Sequence, residues 1–131
     1  MSKDIYDIFE PYKYRADGHD LLVVDWAVGS LCNFSCSYCD PLFYEGKTPW
    51  HNIDDCTRFI DFLWENVCIP QKKILYFNIH AGEPSLWPSL DRFCEHVKSL
   101  NTDNQIMLLT NGTRNVKWWT SRNHLINNII V

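Results

Sequence analysis

An α/β fold built on a parallel sheet is predicted by three features of this 131-residue chain. β-Branched and apolar runs alternate with helix-periodic stretches, the intervals between runs are long enough for crossover helices, and turn-forming residues close the runs. The 46% apolar and 15% aromatic content can fill one hydrophobic core at this length, so a single ordered domain is expected.

Residues 1–20 mix Tyr6, Phe9, Tyr12 and Tyr14 with acids and lysines and read as an arm lying on the domain of residues 21–131. Residues 21–30, with Leu21, Leu22, Val23, Val24 and Val28, have the density of a buried strand. Asn52 is suited to cap a helix with Asp54 and Asp55 in its first turn and Ile53, Ile60, Leu63 and Val67 at helical spacing. That helix is expected to end near residues 68–70, because the residue before Pro70 avoids helical geometry.

A second strand over residues 73–80 alternates Leu75, Phe77 and Ile79 with Tyr76, Asn78 and His80, so one face is expected to pack on helices. Pro88, Asp91 and the stripe Leu90, Phe93, Cys94, Val97 and Leu100 mark a second helix. A third strand, residues 105–110, ends at Asn111-Gly112. Residues 116–122 form a short helix in which Trp118 and Trp119 are packing residues, and residues 125–131 open a fourth strand. The sequence stops within that apolar run, as expected of a truncated or split domain.

A net charge of -4, a pI near 5.6 and twelve scattered Lys and Arg provide no footprint for nucleic acid. No stretch reaches the roughly 18 uninterrupted apolar residues of a membrane span, and the opening residues do not pair a basic region with an apolar run. A cytoplasmic protein is expected.

Of six cysteines, Cys56, Cys68 and Cys94 are dispersed and read as small buried hydrophobes on helices. Cys32, Cys36 and Cys39 instead share one loop directly after the first strand. Their spacing can place three thiolates on one iron–sulfur cluster and leave one iron for an exogenous ligand, and an open metal position signals chemistry. A structural zinc knot is the alternative, and it requires a fourth ligand such as His51 or His19. At the end of the second strand, Gly82 permits close backbone approach to a ligand, and Pro84 is expected to hold Glu83 extended with its carboxylate displayed.

Taken together, Cys32-x3-Cys36-x2-Cys39 with Tyr38 before the last cysteine, Ala81-Gly82-Glu83-Pro84, and Leu109-Thr110-Asn111-Gly112 resemble the radical S-adenosylmethionine enzymes. The resemblance spans residues 21–131, about the first half of that family's partial (βα) barrel, with three βα units and the start of a fourth strand. It implies a 4Fe-4S cluster on Cys32, Cys36 and Cys39, as both metal ligands and catalytic centre. It also implies S-adenosyl-L-methionine near Tyr38, Ala81, Gly82, Glu83, Thr110 and Asn111, and cleavage of that cofactor to a radical that abstracts hydrogen from a substrate. Ala81 departs from the family pattern, which has glycine there. His80 and Asn78, facing the lumen, are candidates near the substrate, a small molecule or a peptide. The resemblance further implies a reductant protein such as flavodoxin or ferredoxin, and the open sheet edge calls for the missing strands, a dimer mate or a partner chain. The alternatives are a non-catalytic iron–sulfur or zinc-binding module and an inactive fragment of a larger enzyme.

Overall fold

The computed structural model describes residues 20–131, so the expected N-terminal arm lies, apart from Asp20, outside the described residues. Four strands, β1 (Asp20–Ala27), β2 (Lys73–His80), β3 (Gln105–Leu109) and β4 (Asn128–Ile130), form one sheet in the order β1-β2-β3-β4. Every pairing is parallel. Strand order follows chain order with no reversal, the progression of a barrel wall rather than of a doubly wound sheet with a switch point. Asp20 pairs with Lys73 and Ala27 with His80, which brings the carboxyl ends of β1 and β2 to one level.

Helices α1 (Ile53–Leu63), α2 (Leu90–Leu100) and α3 (Val116–Thr120) supply the crossovers. The Asn52 side chain accepts from the N–H groups of Asp54 and Asp55, capping α1 as its residue type predicts. Leu75, Phe77 and Ile79 from β2 and Ile106 and Leu108 from β3 pack with Ile60 of α1 and Phe93 and Val97 of α2 in the core. Edge-to-face contacts of Phe93 with Trp26 and Phe77, at centroid separations of 5.6 and 5.2 Å, tie β1 and β2 to α2. Trp118 and Trp119 pack against the same core as expected. Across the helix pair, Asp61 meets His96 Nε2 at 2.7 Å and Asp54 meets Arg92 at 3.1 Å.

Three boundaries differ from expectation. The first helix does not stop at Pro70: a π-helical turn, Trp64–Cys68, leads into a last helical turn, Ile69–Gln71, which Lys72 ends in the left-handed conformation. The widened turn, in which the N–H of Ile69 reaches Trp64 O, lets the chain pass a residue without an N–H donor. Leu125 and Ile126 are buried in the turn after α3 rather than in a strand, so β4 begins only at Asn128. β1 ends at Ala27, because Gly29 and Ser30 already belong to the neck of the cysteine loop. Among the described residues no helix is long and apolar enough to cross a membrane.

Cys56, Cys68 and Cys94 are core residues, as predicted. Burial pushes the Cys68 thiol up to about 11 and, assisted by Asp91, the Cys94 thiol up to about 12; burial and then Asp55 also raise Cys56. Thiolates react and thiols do not. Brief iodoacetamide treatment of the folded, cluster-free protein is therefore expected to alkylate Cys32, Cys36 and Cys39 and to spare the other three until denaturant is added, as read by peptide mass spectrometry.

Candidate active site

The cysteine loop leaves β1 through a closed neck. Ser30 N donates to Thr48 O at 3.0 Å, Thr48 N donates to Ser30 Oγ at 2.8 Å, and Leu31 bridges Glu45. Gly29 is required there, since a Cβ would lie 2.6 Å from the Trp50 ring. Within the loop, Cys39 N donates to Cys36 O, and Asp40 accepts from Leu42 N to start the short turn Pro41–Phe43. All three loop cysteines are free and partly exposed.

After β2 the chain turns through two consecutive left-handed residues, Ala81 at φ 69° and Gly82 at φ 59°. The family's glycine at the first position thus has a conformational basis, and alanine here bears strain of about 1 to 2 kcal/mol. Ala81→Gly is expected to stabilise the fold by about 0.5 to 1 kcal/mol, the relief of that strain less the added freedom of the unfolded chain, measured by urea unfolding. Gly82 lies directly on the cysteine loop: Glu83 N donates to Leu31 O at 2.8 Å, and a Cβ on Gly82 would sit 2.4 Å from the same oxygen.

Glu83 has the extended backbone expected before Pro84, but its carboxylate is not displayed. It is 1% exposed and turned inward. Oε1 accepts from Ser85 N at 3.1 Å and from Thr110 Oγ1 at 2.6 Å, and Oε2 accepts from Asn111 N at 2.7 Å. An acceptor with two oxygens is satisfied best by converging donors, and the ends of β2 and β3 supply them. Glu83 therefore clamps the two strand ends together, leaving the backbone of Ala81 and Gly82 to face the loop. Arg114 braces the turn from behind, both its Nε and Nη2 donating to Ser85 O.

Cys32, Cys36, Cys39, Ala81, Gly82 and His80 line one pocket of about 270 Å³, closed in part by Phe34, Phe43, Tyr44 and Leu109. Tyr38, on the cysteine loop, is 90% exposed, which excludes a core role. Its hydrogen bond with the Cys36 side chain and the charges of Cys36 and Cys39 raise its phenol above the ordinary value. Thr110 is buried on Glu83, and Asn111 reaches back to the cysteine loop. Asn78 donates to Asp25 at 2.7 Å on the face away from the helices. Sequence reasoning missed Asp25, although it stands opposite Asn78 in the parallel register, and missed the apolar wall of Phe43, Tyr44 and Leu109.

The donor set is chemically suited to an iron–sulfur cluster. Three thiols from one loop open into the same pocket, and Cys32 Sγ accepts from Phe34 N at 3.4 Å. Among the described residues no three His, Cys, Asp or Glu side chains are placed to hold one metal ion. A cubane needs its thiolates spread around a body with irons at separate corners. His51, a candidate zinc ligand, turns its ring to Ala27 O at 2.8 Å; His19 lies outside the described residues.

No protein-family model matches the chain. It is 29% identical over 97 residues to an S-adenosylmethionine-dependent nucleotide dehydratase of Fibrobacter sp. (strain UWH6), covering 70% of this chain and 28% of that protein. It is 31% identical over 84 residues to a GTP 3',8-cyclase of Stenotrophomonas maltophilia (strain K279a), covering 63% of this chain and 24% of that one. The crystal structure of BtrN in complex with AdoMet and 2-DOIA superposes with a TM-score of 0.67 at 22% identity, over 85% of this chain and 45% of that one. These similarities support a place in the radical S-adenosylmethionine superfamily, and the superposition shows its fold. It shows the expected partial barrel, and it spans about a quarter of the length of the curated relatives it matches.

Proposed function

We propose that this chain binds a 4Fe-4S cluster through Cys32, Cys36 and Cys39 and S-adenosyl-L-methionine beside it, as the N-terminal half of a hydrogen-abstracting enzyme core. One observation carries the reading: the three cysteines open into the same pocket as Ala81 and Gly82 at the carboxyl end of the sheet. When bound, the pair supplies a one-electron reductive cleavage of the sulfonium to a 5'-deoxyadenosyl radical that takes a hydrogen atom from the substrate. The three loop thiolates hold the cluster and leave its fourth position open. The left-handed Ala81-Gly82 backbone presents polar groups to the cofactor's amino end, while Glu83, Thr110 and Asn111 fix the strand ends around it. Phe34, Phe43 and Leu109 give the pocket an apolar wall, and Tyr38, exposed beside Cys39, contacts the bound cofactor. His80 and the Asn78–Asp25 pair are placed for substrate contact in the lumen.

The substrate is a small molecule or a peptide, the electron comes from a low-potential protein such as flavodoxin or ferredoxin, and the working location is the cytoplasm. The exposed apolar residues Leu109, Ile129 and Ile130 at the β3–β4 edge support completion of the barrel by further strands or a partner chain.

Anaerobic reconstitution tests the reading. About four irons and four sulfides per chain are expected, with an electron paramagnetic resonance signal shifted by S-adenosyl-L-methionine and 5'-deoxyadenosine formed under dithionite. Cys36→Ala is expected to lose most of the bound iron. Zinc without labile sulfide would overturn the proposal in favour of a structural module. A shifted signal without deoxyadenosine would reduce it to a cofactor-binding half whose chemistry requires the rest of the barrel.

A further inference from the structure

We infer that the side-chain amide of Asn111 tunes the reduction potential of the cluster by donating a hydrogen bond to the thiolate of Cys32, an inference that rests on the cluster reading above. Asn111 Nδ2 lies 3.8 Å from Cys32 Sγ and 2.9 Å from Asn33 Oδ1. Nitrogen and oxygen of an amide are easily interchanged, but the neighbours decide the orientation here. Thr113 N, which can only donate, lies 3.1 Å from Asn111 Oδ1, and Thr113 Oγ1 lies 2.6 Å from it. The oxygen end is thus committed to Thr113, and the NH2 end faces the cysteine loop. Its two hydrogens match its two acceptors, one on Asn33 and one on Cys32.

The amide is held there by more than its own contacts. Asn111 N donates to Glu83 Oε2 at 2.7 Å, so the same residue is pinned to the β2 turn by its backbone and to the first cluster ligand by its side chain. Phe34 N supplies Cys32 Sγ with a second donor. Reduction adds one electron, and its negative charge is shared with the thiolate sulfurs. An N–H dipole aimed at one of them stabilises the reduced form more than the oxidised form and so raises the potential. Asn111 acts through Cys32 in this role and touches the electron acceptor only by way of that sulfur.

The test is a dithionite titration of the reconstituted chain followed by electron paramagnetic resonance, without S-adenosyl-L-methionine, so that cofactor contacts of Asn111 do not enter. Asn111→Leu removes the donor at similar volume, and Asn111→Asp replaces it with a charged acceptor of the same shape. The midpoint potential is expected to fall in N111L and to fall further in N111D. A potential in N111L equal to or above that of the unaltered chain, with iron and sulfide contents matched, would overturn the inference and leave the cluster reading standing. Absence of a cluster from the unaltered chain would end both. If N111L does not fold, N111D keeps the Thr113 contacts and decides the matter by pulsed resonance on chains carrying 15N in the asparagine side chains. A 15N coupling to the reduced cluster that disappears in N111D is expected, and a coupling that persists there belongs to Asn33 and refutes the assignment.

Discussion

Gly82→Ala is expected to destabilise the domain by about 3 kcal/mol and to abolish binding of S-adenosyl-L-methionine. Two costs add at this position. An L-residue held at φ 59° forfeits about 1 to 2 kcal/mol in the left-handed region. The new methyl would also stand 2.4 Å from Leu31 O and 3.0 Å from Leu31 N and C, all backbone atoms of the cysteine-loop neck. No flexible side chain can swing away, so either the turn or the loop has to move, and the Glu83 N to Leu31 O bond stretches with it. Urea unfolding reads the stability loss. Cluster content and the cofactor-induced change in the resonance spectrum read the loss at the site. Gly29→Ala makes a useful comparison, because its Cβ would meet mainly the Trp50 ring, with no positive φ to aggravate the clash. If G82A unfolded like the unaltered chain and retained the spectral change, the close packing of turn on loop would not be what joins the two motifs.

The sheet was legible because its signals are local. The period-2 alternation in β2 and the helical stripe on α2 each identify one element and its buried face, and those faces do meet, Phe77 on Phe93. The three motifs were legible for a related reason: each lies at a strand end, and a parallel sheet gathers strand ends on one side. What could not be read was the direction in which a polar side chain turns once the strands are side by side. Glu83 looked outward from its own sequence neighbours, yet Thr110 Oγ1 and Asn111 N come from just past the end of β3, 27 and 28 residues away, and only their convergence makes the inward carboxylate favourable. The π turn before Pro70 escaped for a similar reason. Helix periodicity marks where a stripe ends, and it does not report a hydrogen-bond register that widens by one residue. Ala81 was legible as a departure from the family's residue, but its cost became visible only with its φ of 69°.

The buried carboxylate gives the second large effect. Glu83→Ala leaves Ser85 N, Thr110 Oγ1 and Asn111 N without their acceptor in a site that is 1% exposed, and is expected to cost about 4 kcal/mol. Glu83→Gln is the more informative change because it preserves volume and both side-chain positions. Its amide has one acceptor oxygen where the carboxylate has two. With that oxygen at the Oε1 position, Ser85 N keeps its partner and the NH2 points at the N–H of Asn111; with the amide reversed, Asn111 keeps its partner and Ser85 N is confronted instead. In either orientation one backbone donor faces another donor, so about 2 kcal/mol is expected to be lost without any change in packing. The two orientations differ in what they do to the loop: displacing Asn111 also withdraws its amide from Cys32, whereas displacing Ser85 loosens only the turn that Arg114 braces. Glu83→Asp shortens the reach to both strand ends and cannot satisfy the three donors at once, so it is expected to fall between the other two variants. Chemical denaturation orders the three. A Glu83→Gln chain as stable as the unaltered one would mean that the inward carboxylate is not the clasp between β2 and β3, and that the strand ends are held by the sheet alone.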